Sequence, residues 1–221
     1  MNEAAARLGL HPASLRAMAA RGAVSAEKVA GRWLIDDAEV RRLEASHLGR
    51  GRPWSARSVW ALLEAAGGGR PAGLSRSELR RLQERLGLLA DIPPGRMSRR
   101  AVVHHLHGHP RSLERLAGDR RVVISGVAAL AGRSPDLVAE DVASVYVPAE
   151  DFKAVVTDHR LRPVPFSAAN VEVRVPVGGC PFDGRVAPWP VAAADLLDRG
   201  DERSVRAARA LFAAGAIVGS R

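Results

Sequence analysis

Seven side chains in the first quarter of the chain have the types and the spacing to grip a polyanion: Ser14, Arg16, Arg21, Lys28, Arg32, Arg50 and Arg52. A hydroxyl bonds a phosphate oxygen or a base edge, and guanidinium or ammonium groups reach phosphates or the edge of guanine. Ser14 and Arg16 fall on the outer side of a helical stretch from Pro12 to about Ala20. Leu15, Met18 and Ala19 at i, i+3, i+4 face inward. The outer face, Ala13, Ser14, Arg16 and Ala17, is small and polar, so a helix bearing it can approach a major groove closely. Arg21 follows that helix. Lys28 and Arg32 flank Ala30-Gly31, placed to hold an adjacent backbone or minor groove. Arg50 and Arg52 sit in the Gly- and Arg-rich stretch "SHLGRGRP", which either lies along phosphates as a basic arm or serves only as a soluble linker.

Other reactive residue types give weaker patterns. His104, His105, His107 and His109 cluster, and His104 and His107 share a face at i, i+3 if residues 99–106 are helical. Gly108 and Pro110 would break such a helix before His109, and no cysteine or carboxylate stands beside it, so a basic surface helix is expected rather than a metal site. Ser125 follows a short β-branched run without the G-x-S-x-G pattern of a nucleophile turn, and helix capping is its expected role. Cys180 is the single cysteine, which excludes an internal disulfide and a cysteine-based zinc site. There is no phosphate loop, no dinucleotide fingerprint and no paired acid and base, so neither an enzyme nor a cofactor is expected.

The charge distribution supports the polyanion reading. The net charge is +9, from 31 Arg and two Lys against 24 acidic residues. Residues 1–121 carry +10 and residues 122–221 carry −1. A basic half beside a neutral half suggests a polyanion-binding module joined to something else. The preference for Arg over Lys, beside abundant Ala, fits a GC-rich coding sequence and is not used. Hydrophobic residues are 47% and charged residues 26% of the chain, which excludes a disordered or collagen-like protein. No apolar run approaches the roughly 20 residues of a membrane span, and Met1 to Arg7 lacks the features of a secretory signal. A cytoplasmic protein without membrane contact is the expectation.

The elements that must position these residues follow from period and punctuation. Ala4, Ala5 and Leu8 give a first helix ended by Gly9, and His11-Pro12 starts the second, with Gly22 as its cap. Val29 and Trp33-Leu34-Ile35 flank a tight hairpin at Ala30-Gly31, with Trp33 as core of the wing. Asp36 and Glu39 are spaced to cap a third helix carrying Val40 and Leu43. Helix, turn, helix, hairpin, helix is the order of a winged helix-turn-helix. Beyond the linker, helices are expected over 55–66 and from Ser75, where Glu78 completes a capping box ahead of Leu79, Leu82, Leu86 and Leu89. The outer face of that helix carries Arg76, Arg80, Arg81 and Arg85, a second nucleic-acid surface or a solvated face. Strands are expected at 121–124, 144–147 and 170–175, the last with one buried face, and helices after Pro148, from Trp189 and from Asp201. The fold class is α+β. Its expected parts are a winged DNA-binding domain at 1–50, an Arg-rich helical segment at 51–118 and an α/β domain at 119–221.

Two stretches resemble known families. "EAAARLGLHPASLRAMAARGAVSAEKVAGRWLIDDAEVRRL" is similar to the excisionase and MerR-like DNA-binding domains. Glu3, Ala4, Leu8, Gly9, Arg16, Gly22, Lys28, Val29, Trp33, Ile35 and Val40 fill their pattern, and His11-Pro12 replaces the usual small polar turn. "VVISGVAAL", "SVYVPAEDFKAVV", "NVEVRV" and "VAPWPVAAADLLDRGDERSVRAARALF", over roughly residues 120–214, resemble the C-terminal part of AbiEi-type antitoxins. That resemblance implies the antitoxin of a type IV toxin–antitoxin pair. Such a protein represses its own operon and counters a nucleotidyltransferase-like toxin, usually without a stable complex. Autorepression implies double-stranded DNA of its own promoter as partner, bound at inverted repeats by a monomer or weak oligomer that is cooperative on DNA. The competing reading is an excisionase-like or other DNA-binding regulator without a toxin, against which the separate hundred-residue α/β part argues.

Overall fold

The structure is a computed structural model that describes residues 1–20, 24, 26–47, 53–131, 142–179 and 181–218. In chain order the helices and strands are α1 (Asn2–Arg7), α2 (Pro12–Ala20), β1 (Glu27–Val29), β2 (Arg32–Leu34), α3 (Asp37–His47), α4 (Ala56–Ala66), α5 (Arg76–Gly87), β3 (Ala101–His107), α6 (Pro110–Gly118), β4 (Val123–Ser125), α7 (Gly126–Ala129), β5 (Ala143–Tyr146), α8 (Ala149–Asp158), β6 (Arg162–Pro163), β7 (Val171–Pro176), α9 (Trp189–Arg199) and α10 (Glu202–Val218). The fold is mixed α+β, with a two-stranded sheet and a five-stranded sheet ordered β4-β5-β7-β3-β6. Among the described residues no helix is long and apolar enough to cross a membrane.

The first 47 residues close their own small core. Ala5, Leu8, Leu15, Val24, Val40 and Leu43 are buried together, with Leu10, Met18 and Ile35 packed on them. Gly9, at φ +63°, turns the chain out of α1. The Gly9 N–H donates to the Ala6 carbonyl and the Leu10 N–H to the Ala5 carbonyl, the paired bonds of a Schellman stop. Ala30 and Gly31 both have positive φ, 48° and 80°, which gives a type I′ turn whose twist matches the paired strands.

The larger sheet carries helices on both faces. One face buries Leu106, Val145, Val171 and Val173 against α6 and α8 through Leu116 and Val155. The other buries Ala101, Val123 and Tyr146 under α4, α5, α9 and α10. Three outcomes differ from the sequence expectation here. Residues 101–107 form a strand, not a helix over 99–106, because they pair antiparallel with β7 along six residue pairs. The β-branched Val102 and Val103 favour that pairing, and tertiary context overrides a weak helical pattern. Secondly, β7 is buried on both faces rather than one: Glu172 and Arg174 are each 3% exposed. The alternating pattern is present, but its polar side lies in the interior beneath α9. Sheet and core also run across the expected boundary at 118/119, because β3 is an interior strand of the sheet and Val59, Leu62 and Leu82 share a core with Leu196 and Phe212.

That covered polar side holds a connected set of buried charges. Asp195, in the apolar run of α9 from Pro190 to Leu197, takes a hydrogen bond from Arg100, one from Tyr146 Oη at 2.7 Å and one from Ser125 Oγ at 2.5 Å. Arg174 Nε lies 3.4 Å from the same carboxylate, and Arg174 Nη2 donates to Glu172 at 2.8 Å. Arg100 also reaches Asp198, at 2.5 Å. Burial pushes the Tyr146 phenol above its ordinary range, so it stays a neutral donor. Ser125 therefore orients a buried carboxylate and does not cap α7, which has no side-chain cap. Gly126 follows at φ +60°, where a Cβ would come within 2.9 Å of Ser144 Cβ, so the Ser-Gly pair is fixed by a tight turn.

Two predictions follow from the packing. Asp195→Ala takes a buried partner from Arg100 and from Arg174, which keep Asp198 and Glu172, and leaves the Tyr146 and Ser125 hydroxyls without their acceptor; it should cost about 3–5 kcal/mol in urea unfolding. A loss no greater than that of an exposed substitution, about 0.5 kcal/mol, would contradict the arrangement. The second concerns Asp119, which pairs with Arg121 at 2.6 Å and with His159 at 2.9 Å. The Arg121 hydrogen bond, outweighing burial and joined by His159, holds the Asp119 carboxyl well below the usual carboxylate range. A carboxyl depressed on folding adds stability that is complete above its unfolded pKa, about 3.9, and is lost as pH falls toward the folded value. Stability should decline from about pH 5 downward. Asp119→Asn should lower stability at neutral pH and make the acid limb shallower. An acid limb as steep as that of the unaltered protein would contradict this account.

Candidate nucleic-acid interface

The N-terminal residues are positioned by a rigid frame. Arg7 ties α1 to α3, donating to both Glu44 oxygens at 2.9 Å and reaching Asp37 at 2.5 Å. Those hydrogen bonds, Glu44 first, raise the Arg7 guanidinium above its ordinary value. Arg7 is thereby a tether rather than a free phosphate contact. With α1 and α3 held, α2 buries Leu15 and Ala19 and leaves Ala13, Ser14, Arg16 and Ala17 exposed. This is the face that the apolar spacing predicts.

Ser14 and Arg16 therefore share the free surface of α2. Arg16 Nε is steadied by the Pro12 carbonyl at 3.3 Å and has no carboxylate partner among the described residues. Across the hairpin, Lys28 stands opposite Trp33 and Val29 opposite Arg32. Lys28 and Arg32 are both exposed. Lys28 Nζ sits 5.9 Å from the centre of the Trp33 ring, which steers the ammonium without neutralising it. Trp33 is half-buried and lies outside the apolar cluster of this module, so it acts as a platform under Lys28 rather than as wing core. Val29 and Leu34 are 44% and 54% exposed, an apolar surface on the hairpin beside its two cations. Arg21, Arg50 and Arg52, with Gly22 and Cys180, lie outside the described residues.

The histidine tract is dispersed by the strand. In β3 an odd separation places His104 and His107 on opposite faces. His104 stacks on Phe152 with ring centres 4.2 Å apart, and burial lowers its pKa. His105 packs against Phe166, and His109 caps α6 by accepting the Arg111 N–H at 3.3 Å. Among the described residues no group of three or more His, Cys, Asp or Glu is arranged to hold a metal.

Arg100 is likewise withdrawn from the surface of the Arg-rich segment. It is 1% exposed and neutralised by Asp195 and Asp198. Sequence reasoning passes over Arg57, which follows the Ser55 cap of α4 and faces Arg81 and Arg85 of α5 across a groove. Its signal was the i, i+4 spacing of Arg81 and Arg85 opposite a helix start. No family model, no curated protein and no solved structure matches the chain.

Proposed function

We propose that the chain is a DNA-binding antitoxin whose residues 1–47 act as a winged helix-turn-helix on its own promoter. In this reading α2 enters the major groove with Ser14 and Arg16, and the β1–β2 hairpin lays Lys28 and Arg32 on the adjacent backbone. The observation that carries the reading is their common setting: cations without carboxylate partners among the described residues, on a small-residue helix face and on a type I′ hairpin, both mounted on one core. A narrow face of that kind fits a groove, and its charge favours polyanions.

The antitoxin part of the proposal rests on the resemblance over 120–214, and the packing adds one support. Ser125-Gly126, Tyr146, Arg174 and Asp195 occupy four of its motifs, and all four meet in the buried charge network. The shared letters thus encode how the domain is held together. The chain would repress a toxin–antitoxin operon and counter a nucleotidyltransferase-like toxin in the cytoplasm, without a stable complex between them. An excisionase-like regulator needs little beyond the winged module, and the large second core speaks against that alternative.

The test is binding of promoter DNA by the full chain. Arg16→Ala and Lys28→Ala should each weaken it. A phosphate contact would lower the salt slope by about one unit uniformly across sequences, and a base contact would relax discrimination by about 1–3 kcal/mol. Two repeats should be filled more steeply than one. Unchanged binding by both variants would remove the assignment. In cells expressing the neighbouring toxin, the full chain should restore growth, and failure to do so would leave a regulator without antitoxin action.

A further inference from the structure

A groove of about 240 Å³ runs between α4 and α5, and neither α2 nor the β1–β2 hairpin contributes to its described lining. Arg57, Arg81 and Arg85 line it, together with Ser55 and a single carboxylate, Glu78. Glu78 is already engaged: it accepts the Ser75 N–H and hydroxyl, both at 2.8 Å, to close the capping box of α5. Arg57 donates to the Gly73 carbonyl and Arg81 to the Ser77 carbonyl. None of the three guanidiniums is in an ion pair among the described residues, whereas Arg80 on the outer side of α5 pairs with Glu84 at 3.0 Å. Arg85 is held in place by the Trp54 ring, 4.3 Å from its guanidinium carbon, and Arg96 lies 5.4 Å from the same ring. Burial first, then Arg81 and Arg96, press the Arg85 guanidinium below its ordinary pKa. Three converging cations against one committed carboxylate leave an excess that an anion would neutralise.

We propose that this α4–α5 groove binds a backbone phosphate of duplex DNA through Arg57, Arg81 and Arg85, as a sequence-independent second contact. It rests on the DNA reading above and adds a second place of attachment. The groove is polar, with guanidinium and hydroxyl groups and no aromatic ring in its lining. Recognition of single strands relies on stacking platforms, and the nearby Trp54 is already covered by two guanidiniums. Guanidiniums match phosphate oxygens in paired geometry. Exposed Arg76 opens the same helix without an ion pair among the described residues and adds to its positive charge.

The experiment measures binding of the full chain to a promoter duplex and to a scrambled duplex of equal length over a range of salt. Arg81→Gln and the double variant Arg81→Gln/Arg85→Gln are compared with Lys28→Ala and with Arg206→Gln, an exposed control on α10. Arg81 is exposed, so its variant tests the groove even if losing the Arg85–Trp54 contact disturbs packing. The double variant should weaken both duplexes equally, roughly 3- to 10-fold, and lower the salt slope by about one unit, the signature of one lost phosphate. Arg206→Gln should change neither. A salt slope in both groove variants equal to that of the unaltered chain, with Lys28→Ala still weakening the promoter, would overturn the groove and leave the winged module standing. Absence of duplex binding by the unaltered chain would overturn both. Saturable binding of inorganic phosphate that the double variant abolishes, with duplex affinity unchanged, would show a small-anion site and overturn the polynucleotide assignment.

Discussion

A single carboxylate, that of Asp195, ties α9 to the larger sheet. It is 1% exposed on a helix that is otherwise apolar from Pro190 to Leu197. Bringing it inside requires compensation, and Arg100, Arg174, Tyr146 and Ser125 supply it from the turn before β3, from β7, from β5 and from β4. The strand order β4-β5-β7-β3 places those four side chains under α9. A buried ion pair adds little net stability over a hydrophobic pair, but removing one partner is costly. The network therefore constrains which strands sit beneath α9 more than it raises the folding free energy.

This arrangement also separates two uses of arginine. Arg100 and Arg174 are spent in the interior and contribute no surface field. Arg7 is held by Asp37 and Glu44. Among the described residues of the first half, the cations without carboxylate partners include Arg16 on α2, Lys28 and Arg32 on the hairpin and Arg57, Arg81 and Arg85 in the α4–α5 groove, beside exposed arginines elsewhere such as Arg70, Arg99 and Arg111. The formal excess of positive charge in residues 1–121 thus overstates the number of cations available to a polyanion.

Much of the local structure was legible because single residues dictate it. Gly9, Ala30-Gly31, Ser55, the Ser75–Glu78 box and Asp201, which accepts the Ser204 N–H at 2.8 Å, mark turns and helix starts where the sequence places them. What was hidden depends on long-range partners. The segment "AVVHHLH" becomes a strand only because β7, some seventy residues later, pairs with it. The alternation in "VEVRVP" was readable, but a carboxylate on α9 draws its charged side inward, and nothing local to β7 announces that. Leu79 fits the apolar stripe of α5 yet is 41% exposed, since the neighbouring core closes on Leu82 and Leu89 instead. Of the candidate contacts, Ser14, Arg16, Lys28 and Arg32 stand free on the surface as their spacing predicts. Arg57 enters a charged groove only because α4 and α5 pack together.

The central claim is that duplex DNA is held by the exposed face of α2 and by the β1–β2 hairpin. Backbone amide hydrogen exchange of the full chain, with and without its promoter duplex, addresses this most directly. The account predicts slowed exchange on DNA binding within residues 12–20 and 27–34, while β5 and β7, already buried, stay unchanged. Slowed exchange confined to residues 142–218, with α2 and the hairpin unaffected, would contradict it.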